Sequence, residues 1–155
     1  MKYQAPIRRF FLNQTMGDQQ LSDDLAQDTF IKAYVNIGTF HGLSSFSTWL
    51  YRIAYNVLYD YVRSHKITDD IDSPGVSRQH SKSAASDLKM DLNDALAVLS
   101  DHERVCITLQ LMDGYPIDQI STITGLAEGT VKSHLWRGKQ KLANYLKENG
   151  YDRKR

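Results

Sequence analysis

Apolar residues recur every three or four positions through most of this 155-residue chain, and strand-like alternation is almost absent. That period places apolar side chains along one face of an α-helix, whereas a half-buried strand needs a period of two. Only three prolines and nine glycines interrupt the pattern. The chain is therefore predicted to be all-α.

A polar segment divides the helical pattern into two halves. From about residue 67 to residue 85, aspartate, serine, proline and glycine crowd together with few large apolar side chains, which is typical of a linker. We predict two small helical domains, at residues 1–66 and 91–149, with a flexible linker at 67–90 and a basic tail at 150–155. Each domain has about 60 residues, close to the lower limit for independent folding.

Composition excludes several classes of protein. Lys and Arg total 19 against 18 for Asp and Glu, so the chain as a whole is not a basic nucleic-acid binder, although a local basic patch is compatible with this total. The single cysteine, Cys106, excludes a disulfide scaffold and a multi-cysteine zinc site. No apolar run approaches the ~18 residues of a membrane span, and the N-terminus lacks the apolar core of an export signal. We expect a cytoplasmic protein with no membrane insertion.

Catalytic motifs are missing from the sequence. It contains no glycine-rich phosphate loop, no nucleophile elbow and no HExxH motif. His102 and Cys106 are spaced i, i+4, but a zinc site needs three or four ligands and no second pair offers itself. We expect a surface histidine above a buried thiol, and we predict no enzymatic activity, no metal and no cofactor.

The first domain is predicted to contain helices at about residues 5–16, after Ser22 as far as Gly38, and at about residues 47–63. Ser22 is a favourable N-cap, and acidic residues follow it in the first turn, where the helix dipole favours them. A fourth helix is expected in this domain, either as a separate element or as a break within the third. The predicted buried stripe of the second helix consists of Leu25, Phe30, Ala33, Tyr34 and Ile37.

The third helix is predicted to have two different faces. Its core face consists of residues spaced by four, namely Trp49, Ile53, Val57 and Tyr61. Its opposite, exposed face holds Tyr51, Tyr55 and Tyr59, with Arg52, Asn56 and Arg63 beside them. Core packing is an equal alternative for Tyr55.

The second domain carries the signals of a helix-turn-helix. Ser100 and Glu103 form a capping-box pattern that opens one of its helices. A short helix is predicted at Ile117–Thr124, Gly125 turns the chain, and a longer helix follows at about residues 128–147. Two helices joined by a short turn containing glycine are typical of a DNA-binding helix-turn-helix.

Charge separates the last helix from the rest of its domain. Residues 129–147 contain five basic side chains and no acid, whereas residues 91–128 contain seven acids and one base. Its predicted core stripe is Val131, Leu135, Leu142 and Leu146. A basic helix in this motif enters the major groove, where Lys and Arg bind phosphate or guanine and Ser and Gln bond base edges. An ordinary solvated helix is the alternative. The predicted DNA-binding residues are Thr130, Lys132, Ser133, Trp136, Arg137, Lys139 and Gln140.

Three segments together resemble a known family. Residues 125–135, GLAEGTVKSHL, resemble the helix-turn-helix of region 4 in bacterial sigma factors, and response-regulator transcription factors carry a similar motif. Residues 24–34, DLAQDTFIKAY, resemble the region 2 helix that grips RNA polymerase. Residues 44–56, SSFSTWLYRIAYN, resemble the segment that reads and opens the promoter −10 element. Their order and the short linker resemble an extracytoplasmic-function (ECF) sigma factor with regions 2 and 4.

The resemblance implies a transcription initiation factor that directs core RNA polymerase to promoters by recognising −35 and −10 elements and that assists melting. Its implied partners are the β′ clamp helices and the β flap of the polymerase, promoter DNA and an anti-sigma factor. The implied polymerase-binding residues are Asp24, Gln27, Asp28, Phe30 and Lys32. The last helix would bind the −35 element, and the implied −10 residues are Phe40, His41, Ser44, Ser45, Phe46, Arg52, Tyr55 and Asn56.

The sequence also departs from the family pattern. The family often has a basic residue where His41, Ser47 and Tyr55 stand here, and Ala127 replaces the usual Ser or Thr N-cap of the recognition helix. The first helix also looks several residues short, so the start is expected to be truncated or misassigned. A conventional helix-turn-helix regulator with an N-terminal sensor domain is the alternative, and a protein-interaction adaptor without a DNA role is a further one.

Overall fold

The computed structural model describes residues 2–72 and 87–149, and within these ranges it describes the side chains of residues 2–65 and 92–149. The central part of the predicted linker, residues 73–86, and the predicted basic tail, residues 150–155, lie outside the described residues. Across the described ranges every regular element is helical, which confirms the all-α prediction.

Seven α-helices and one short 3-10 helix, η1, make up the described part of the chain. In order they are α1 (Gln4–Gln14), α2 (Gln19–Val35), η1 (Ile37–Thr39), α3 (Phe46–Asp72), α4 (Asp87–Ala97), α5 (Asp101–Leu111), α6 (Ile117–Thr124) and α7 (Glu128–Glu148). The helix at Ile117–Thr124 has the predicted bounds. By contrast, α3 runs without a break to Asp72, so the fourth helix expected in the first half is wrong. The outer parts of the predicted linker belong to α3 and α4, and the domain boundaries themselves stay a prediction.

The start of α2 differs from the prediction. Asp18, not Ser22, caps this helix, because its side chain accepts a hydrogen bond from the Leu21 N–H at 3.1 Å. Ser22 lies one turn inside the helix, is fully buried, and shares a 2.8 Å hydroxyl–hydroxyl hydrogen bond with Thr15. Ser22 was predicted as the N-cap because acids follow it in the sequence. Asp18, four residues earlier, already accepts a hydrogen bond from an N–H group of the first turn.

The buried stripe of α2 is also different from the one predicted. Leu25 and Ala33 are buried as expected and Phe30 is half-buried, but Tyr34 is 82% exposed and Ile37 is 50% exposed. The inward face is completed instead by small residues, Ser22, Ala26 and Thr29. Small side chains let α2 approach α1 and α3 closely. The predicted stripe was based mainly on large apolar residues, so it did not include these small inward positions.

The two halves of the chain pack against each other. One continuous cluster of buried apolar residues includes members of both halves, with α3 against α6 and α1 against α5. A buried hydrogen bond of 2.7 Å from Gln14 Nε2 to Thr108 Oγ1 joins α1 to α5. The structure therefore shows a closed arrangement, in which each half covers part of the other.

Candidate promoter and polymerase interfaces

The turn between α6 and α7 has the geometry that a helix-turn-helix requires. Gly125 ends α6 with a φ of 79°, in the left-handed region that favours glycine. The Ser121 hydroxyl donates to the Leu126 carbonyl at 2.6 Å, and the Leu126 N–H donates to Thr124 Oγ1 at 3.2 Å. Ala127 is the N-cap of α7 and makes no side-chain capping bond. This confirms the predicted motif, including its missing cap.

The inner face of α7 packs on its own half of the chain. Val131 and Leu135 are buried as predicted, Leu142 is half-buried, and Leu146 is 41% exposed, so the predicted core stripe ends early. Gly138 completes the buried face. A Cβ at Gly138 would lie 2.8 Å from Ile107 Cγ1, so only glycine allows α7 to approach α5 this closely.

The outer face of α7 is free. All seven of the side chains predicted to contact DNA are exposed, and Trp136 is 65% exposed despite its size. An exposed tryptophan among basic and amide side chains, on the second helix of this motif, is the arrangement that a major-groove surface needs.

One acidic side chain lies beneath this basic face. Glu103 of α5 is only 4% exposed, and its carboxylate accepts a hydrogen bond from Lys141 Nζ at 2.8 Å and lies 3.8 Å from Arg137 Nε. Burial by itself raises the pKa of this carboxyl, but the hydrogen bonds from Lys141 and from the Ser100 backbone outweigh it, so the pKa lies below its usual range. Sequence analysis treated Glu103 only as part of the capping box, which the structure confirms.

The loop before α3 carries an aromatic cluster. The rings of Phe40, Phe46 and Trp49 lie with centroids 5.3 to 5.6 Å apart, and Tyr3 lies 5.2 Å from Phe46. All three cluster members are half-buried, so they offer ring edges at the surface while they pack together. The neighbouring Leu43 is 94% exposed, which the sequence analysis did not single out.

The polar residues of this loop differ in role, because Ser45 caps α3 and the others make no capping bond. Ser45 Oγ accepts the Thr48 N–H at 3.2 Å, which is the bond that an N-cap serine makes, and the Ser45 residue remains exposed. His41 is exposed and Ser44 is half-buried. On α3, Asn56 is exposed.

The other predicted −10 residues of α3 face the second half of the chain. Arg52 Nη1 donates to the Thr122 carbonyl of α6 at 2.5 Å. Tyr55 is 7% exposed, and burial together with the neighbouring Tyr59 raises the pKa of its hydroxyl. Tyr51 is 3% exposed, so the prediction that it is exposed is wrong, whereas Tyr59 is 43% exposed as predicted. For Tyr55, which the sequence left open between core and surface, the structure shows burial. The physical reason is that Tyr51 packs between Phe10 of α1 and Tyr115 of the loop before α6, with ring centroids 5.5 and 5.2 Å away, and that Tyr55 lies near Cys106 of α5.

Polar contacts line the same boundary between the halves. Thr48 Oγ1 donates to Gln119 Oε1 at 2.8 Å, and the Tyr115 hydroxyl donates to Ser47 Oγ at 3.0 Å. The Tyr51 hydroxyl donates to Asp113 Oδ1 at 3.2 Å. Burial raises the pKa of Asp113, and the bond from Tyr51 only partly opposes that effect.

The outer face of α2 is polar beside an apolar groove. Asp24, Gln27, Asp28 and Lys32 are exposed and Phe30 is half-buried, as a binding face requires. A groove of about 780 Å³ runs beside them, and its lining includes Gln27 and Phe30 together with Ile31 and Tyr34. Ile31 is 54% exposed. Ile31 was not among the predicted binding residues and Tyr34 was predicted to be buried, although both follow Gln27 at helical spacing.

The histidine and cysteine that were weighed as metal ligands have different surroundings. Cys106 is fully buried, and burial raises the pKa of its thiol to about 12. His102 stacks on His134 of α7 instead, with ring centroids 5.3 Å apart. Within residues 2–65 and 92–149, no three His, Cys, Asp or Glu side chains are grouped in a way that would hold a metal ion.

A search of the described helices for membrane spans found none that is both long and apolar enough to cross a bilayer.

Comparison with protein families gives two matches in chain order. Residues 1–67 match Sigma-70 region 2, and residues 89–142 match Sigma-70, region 4. The chain is 33% identical over 145 residues to the ECF RNA polymerase sigma factor SigM of Bacillus subtilis, which covers 90% of this chain and 88% of that protein. It is 30% identical over 148 residues to the ECF RNA polymerase sigma factor SigW of the same organism, covering 86% of this chain and 79% of that protein.

Solved structures show the same fold. The sigma factor RpoE of Bartonella quintana, in a co-crystal structure with the anti-sigma factor NepR, superposes with a TM-score of 0.78 at 28% identity over 93% of this chain and 91% of that chain. CnrH, in complex with the cytosolic domain of CnrY, superposes with a TM-score of 0.74 at 21% identity over 96% of this chain and 85% of that chain. Both superpositions extend over both halves of the molecule.

Proposed function

Since the chain belongs to the ECF sigma factors, we propose that three of its surfaces divide the work of promoter recognition. The protein is a transcription initiation factor that binds core RNA polymerase and directs it to promoters. The residue assignments that follow are inferred from exposure and contacts.

The outer face of α7 binds the −35 element. The observation that carries this assignment is that all seven candidate side chains are exposed together on the second helix of the motif. Lys132, Arg137 and Lys139 supply phosphate or guanine contacts, and Ser133 and Gln140 reach base edges. Trp136 packs on sugar or on a thymine methyl group.

The outer face of α2 binds the polymerase. Its acids, Asp24 and Asp28, stay exposed, whereas Asp23 is paired with Arg8 at 2.5 Å. The groove beside them offers Phe30 and Ile31 to an apolar partner residue. Exposed acids around an apolar centre suit a helical partner with a basic rim, which is the role that the β′ clamp helices have in the resemblance. The β flap is the second polymerase contact that we propose, made by the second half.

The loop before α3 and the first turns of α3 bind the −10 element. Phe40 and Phe46 form a stacking surface for a flipped base. Unstacking a base from the duplex costs a few kcal/mol, and stacking on these aromatic rings offsets that cost. Arg52 and Tyr55 join this surface only when the second half moves away, because Arg52 donates to α6 and Tyr55 is buried near Cys106 of α5 in the closed arrangement. Binding of the −10 element therefore requires the two halves to separate.

An anti-sigma factor is the partner that we propose for the closed arrangement. The RpoE structure that includes NepR superposes over 93% of this chain, across both halves, so the two chains share their arrangement of halves as well as their folds. We place this work in the cytoplasm, where core polymerase and promoter DNA are found, and we propose no enzymatic activity of its own.

Run-off transcription tests the proposed function. Sigma-free bacterial core polymerase is incubated with fragmented host DNA, with and without the chain. We expect discrete new transcripts, and we expect them to vanish when Lys132 and Arg137 are both changed to alanine. A chain that yields no transcripts and retains no core polymerase when immobilised would contradict the proposal and favour a conventional regulator, although the match of residues 1–67 to region 2 disfavours a sensor domain there.

A further inference from the structure

Glu103 connects two features that are separate in the sequence. Its Oε1 accepts the Ser100 N–H at 2.9 Å and so closes the capping box of α5. The same oxygen accepts Lys141 Nζ of α7 at 2.8 Å, and its other oxygen faces Arg137 Nε at 3.8 Å. One carboxylate therefore holds the start of α5 and two basic side chains of the recognition helix.

The backbone geometry keeps this contact in place. Gly138 lies between Arg137 and Lys141 in the sequence and is buried against α5, where an added Cβ would also lie 3.5 Å from Glu103 Cβ. The close approach of the two helices brings the carboxylate within reach of both bases. The hydrogen bond from the charged Lys141 to this buried carboxylate is stronger than one between neutral groups, and Arg137 Nε, 3.8 Å away, is held by ion pairing alone.

The pairing divides the basic residues of α7 into two groups. The Arg137 side chain is 51% exposed and the Lys141 side chain is 45% exposed, so each can still reach a DNA surface while its charge is partly offset. Among the described side chains, no carboxylate lies within ion-pair distance of Lys132 or Lys139. Those two lysines keep their full attraction for phosphate.

We propose that Glu103 is a positioning residue for DNA recognition, which fixes Arg137 from below and offsets part of the charge of α7, so that sequence-specific contact is favoured over general attraction to phosphate. This inference rests on the proposed −35 role of α7. An arginine held along one edge enters the groove in a single orientation, and a bidentate contact to guanine needs such an orientation.

The variant Glu103→Gln isolates the charge. Glutamine has the same length and also closes a capping box, so the start of α5 is preserved while the ion pairs with Lys141 and Arg137 are lost. Asp101→Asn is the matched control. It removes one negative charge from the same helix, but Asp101 is paired with Arg104 at 3.1 Å and is not in an ion pair with α7.

The test measures specificity and general affinity separately. The full chain, assembled with sigma-free core polymerase, is incubated with short duplexes that have a randomised centre, over a range of salt concentrations. For Glu103→Gln we expect unselected duplexes to bind about three- to tenfold more tightly at low salt, with a steeper salt dependence, because two cations lose their internal partner. Enrichment of the preferred sequence should fall about tenfold, whereas Asp101→Asn should stay close to wild type in enrichment.

Two further variants separate the possible failures. Glu103→Asp keeps the negative charge but moves it one methylene away from α7. Enrichment of the preferred sequence should fall, whereas binding to unselected duplexes should not become tighter. This variant provides the test if Glu103→Gln does not fold. Arg137→Ala should abolish enrichment, and if it does not, the proposed −35 role fails. If Arg137→Ala abolishes enrichment but Glu103→Gln behaves like Asp101→Asn, or weakens selected and unselected binding equally, the positioning role is overturned. Helical circular dichroism checks the fold of every variant.

Discussion

The two helices proposed to read DNA, α3 and α7, differ in what covers them. Every candidate side chain of α7 is exposed. On α3, Arg52 donates to a carbonyl of α6 and Tyr55 is 7% exposed. The closed arrangement thus presents the −35 surface to solvent and holds part of the −10 surface against the other half of the same chain.

The difference follows from how wide a face each helix buries. The apolar stripe of α7 is packed within its own half, by Val131 and Leu135 against the rest of the helix-turn-helix. In contrast, α3 buries a wide face, on which Tyr51 lies next to Leu50 and Ala54. A face this wide packs against more than one neighbour, and tyrosine suits an edge of it that is alternately packed and wetted, because its ring is apolar and its hydroxyl is polar.

The largest expected effect is opening of the closed arrangement by Tyr115→Ala. Tyr115 packs on the Tyr51 ring with centroids 5.2 Å apart and donates to Ser47 Oγ, so it bridges the halves in two ways. Removing a largely packed aromatic side chain costs about 3 kcal/mol. We expect faster hydrogen exchange in the amides at the start of α3, with α7 unchanged, and stronger initiation from the same promoters.

Tyr115→Phe is the control for this variant, since it loses only the hydrogen bond, worth about 1 kcal/mol. Exchange in α3 should rise much less than it does in the alanine variant. If exchange in α7 rose as much as exchange in α3, Tyr115 would be stabilising its own half rather than the contact between halves.

A second prediction concerns the close contact that anchors α7. Gly138→Ala places a Cβ 2.8 Å from Ile107 Cγ1, whereas Gly129→Ala on the exposed side of the same helix meets no atom within 4 Å. Both variants gain helix propensity of about 1 kcal/mol, but only the first is overpacked, at a cost of about 1–3 kcal/mol. Urea unfolding should therefore rank Gly129→Ala above wild type and Gly138→Ala at least 1 kcal/mol below Gly129→Ala. Equal stability of the two variants would contradict the close approach.

A third prediction uses two acids, the half-buried Asp113 and the buried Glu103, whose pKa values move in opposite directions. The pKa of Asp113, at the α3 contact, is raised above its ordinary value of 3.8, whereas the pKa of Glu103, beneath α7, is lowered below its ordinary value of 4.5. The folded chain binds a proton at Asp113 more tightly than the unfolded chain does, so this group's contribution to stability falls as pH rises from 3.8 through the raised value. Glu103 contributes stability above pH 4.5 that is lost as pH falls through its lowered value.

Paired variants separate these two contributions. Asp113→Asn keeps an acceptor for the Tyr51 hydroxyl and should be more stable than wild type at neutral pH, with the difference vanishing in acid. Glu103→Gln should be less stable than wild type at neutral pH, and its difference should also vanish in acid. Unfolding midpoints measured from pH 3 to pH 8 test both expectations. If both variants were more stable than wild type at neutral pH, or both less stable, the opposite pKa shifts of Asp113 and Glu103 would be contradicted.

Local sequence signals predicted the second half well. The capping box at Ser100, the bounds of α6 and the turn at Gly125 all depend on contacts within a few residues, and the structure confirms each of them. The family resemblance likewise depended on short segments whose order is preserved. Such features need no knowledge of distant packing, so they can be read directly from the chain.

The errors concern contacts between distant parts of the chain. Tyr51 was expected at the surface because α3 was considered within one half, and nothing in its spacing reveals that Phe10 and Tyr115 pack on its ring. The stripe of α2 was misplaced because its inward positions are small, such as Ala26 and Thr29. The ion pair of Glu103 with Lys141 of α7 joins residues 38 positions apart, which no local pattern indicates.

The smallest expected effect concerns the N-cap of α7. Ala127 occupies its N-cap with a φ of −63° and a ψ of 151°, which is the backbone conformation of a capping residue, but it offers no side-chain acceptor. Ala127→Ser would supply that acceptor without a change of backbone and should stabilise the helix by about 1 kcal/mol. Because Ala127 is exposed and lies far along the chain from the α3 contact, the gain should slow hydrogen exchange in the first turn of α7 and leave α3 unchanged. If hydrogen exchange slowed in both helices, α3 and α7 would unfold as one unit. The two DNA-reading helices would then differ in the exposure of their side chains but not in their local stability.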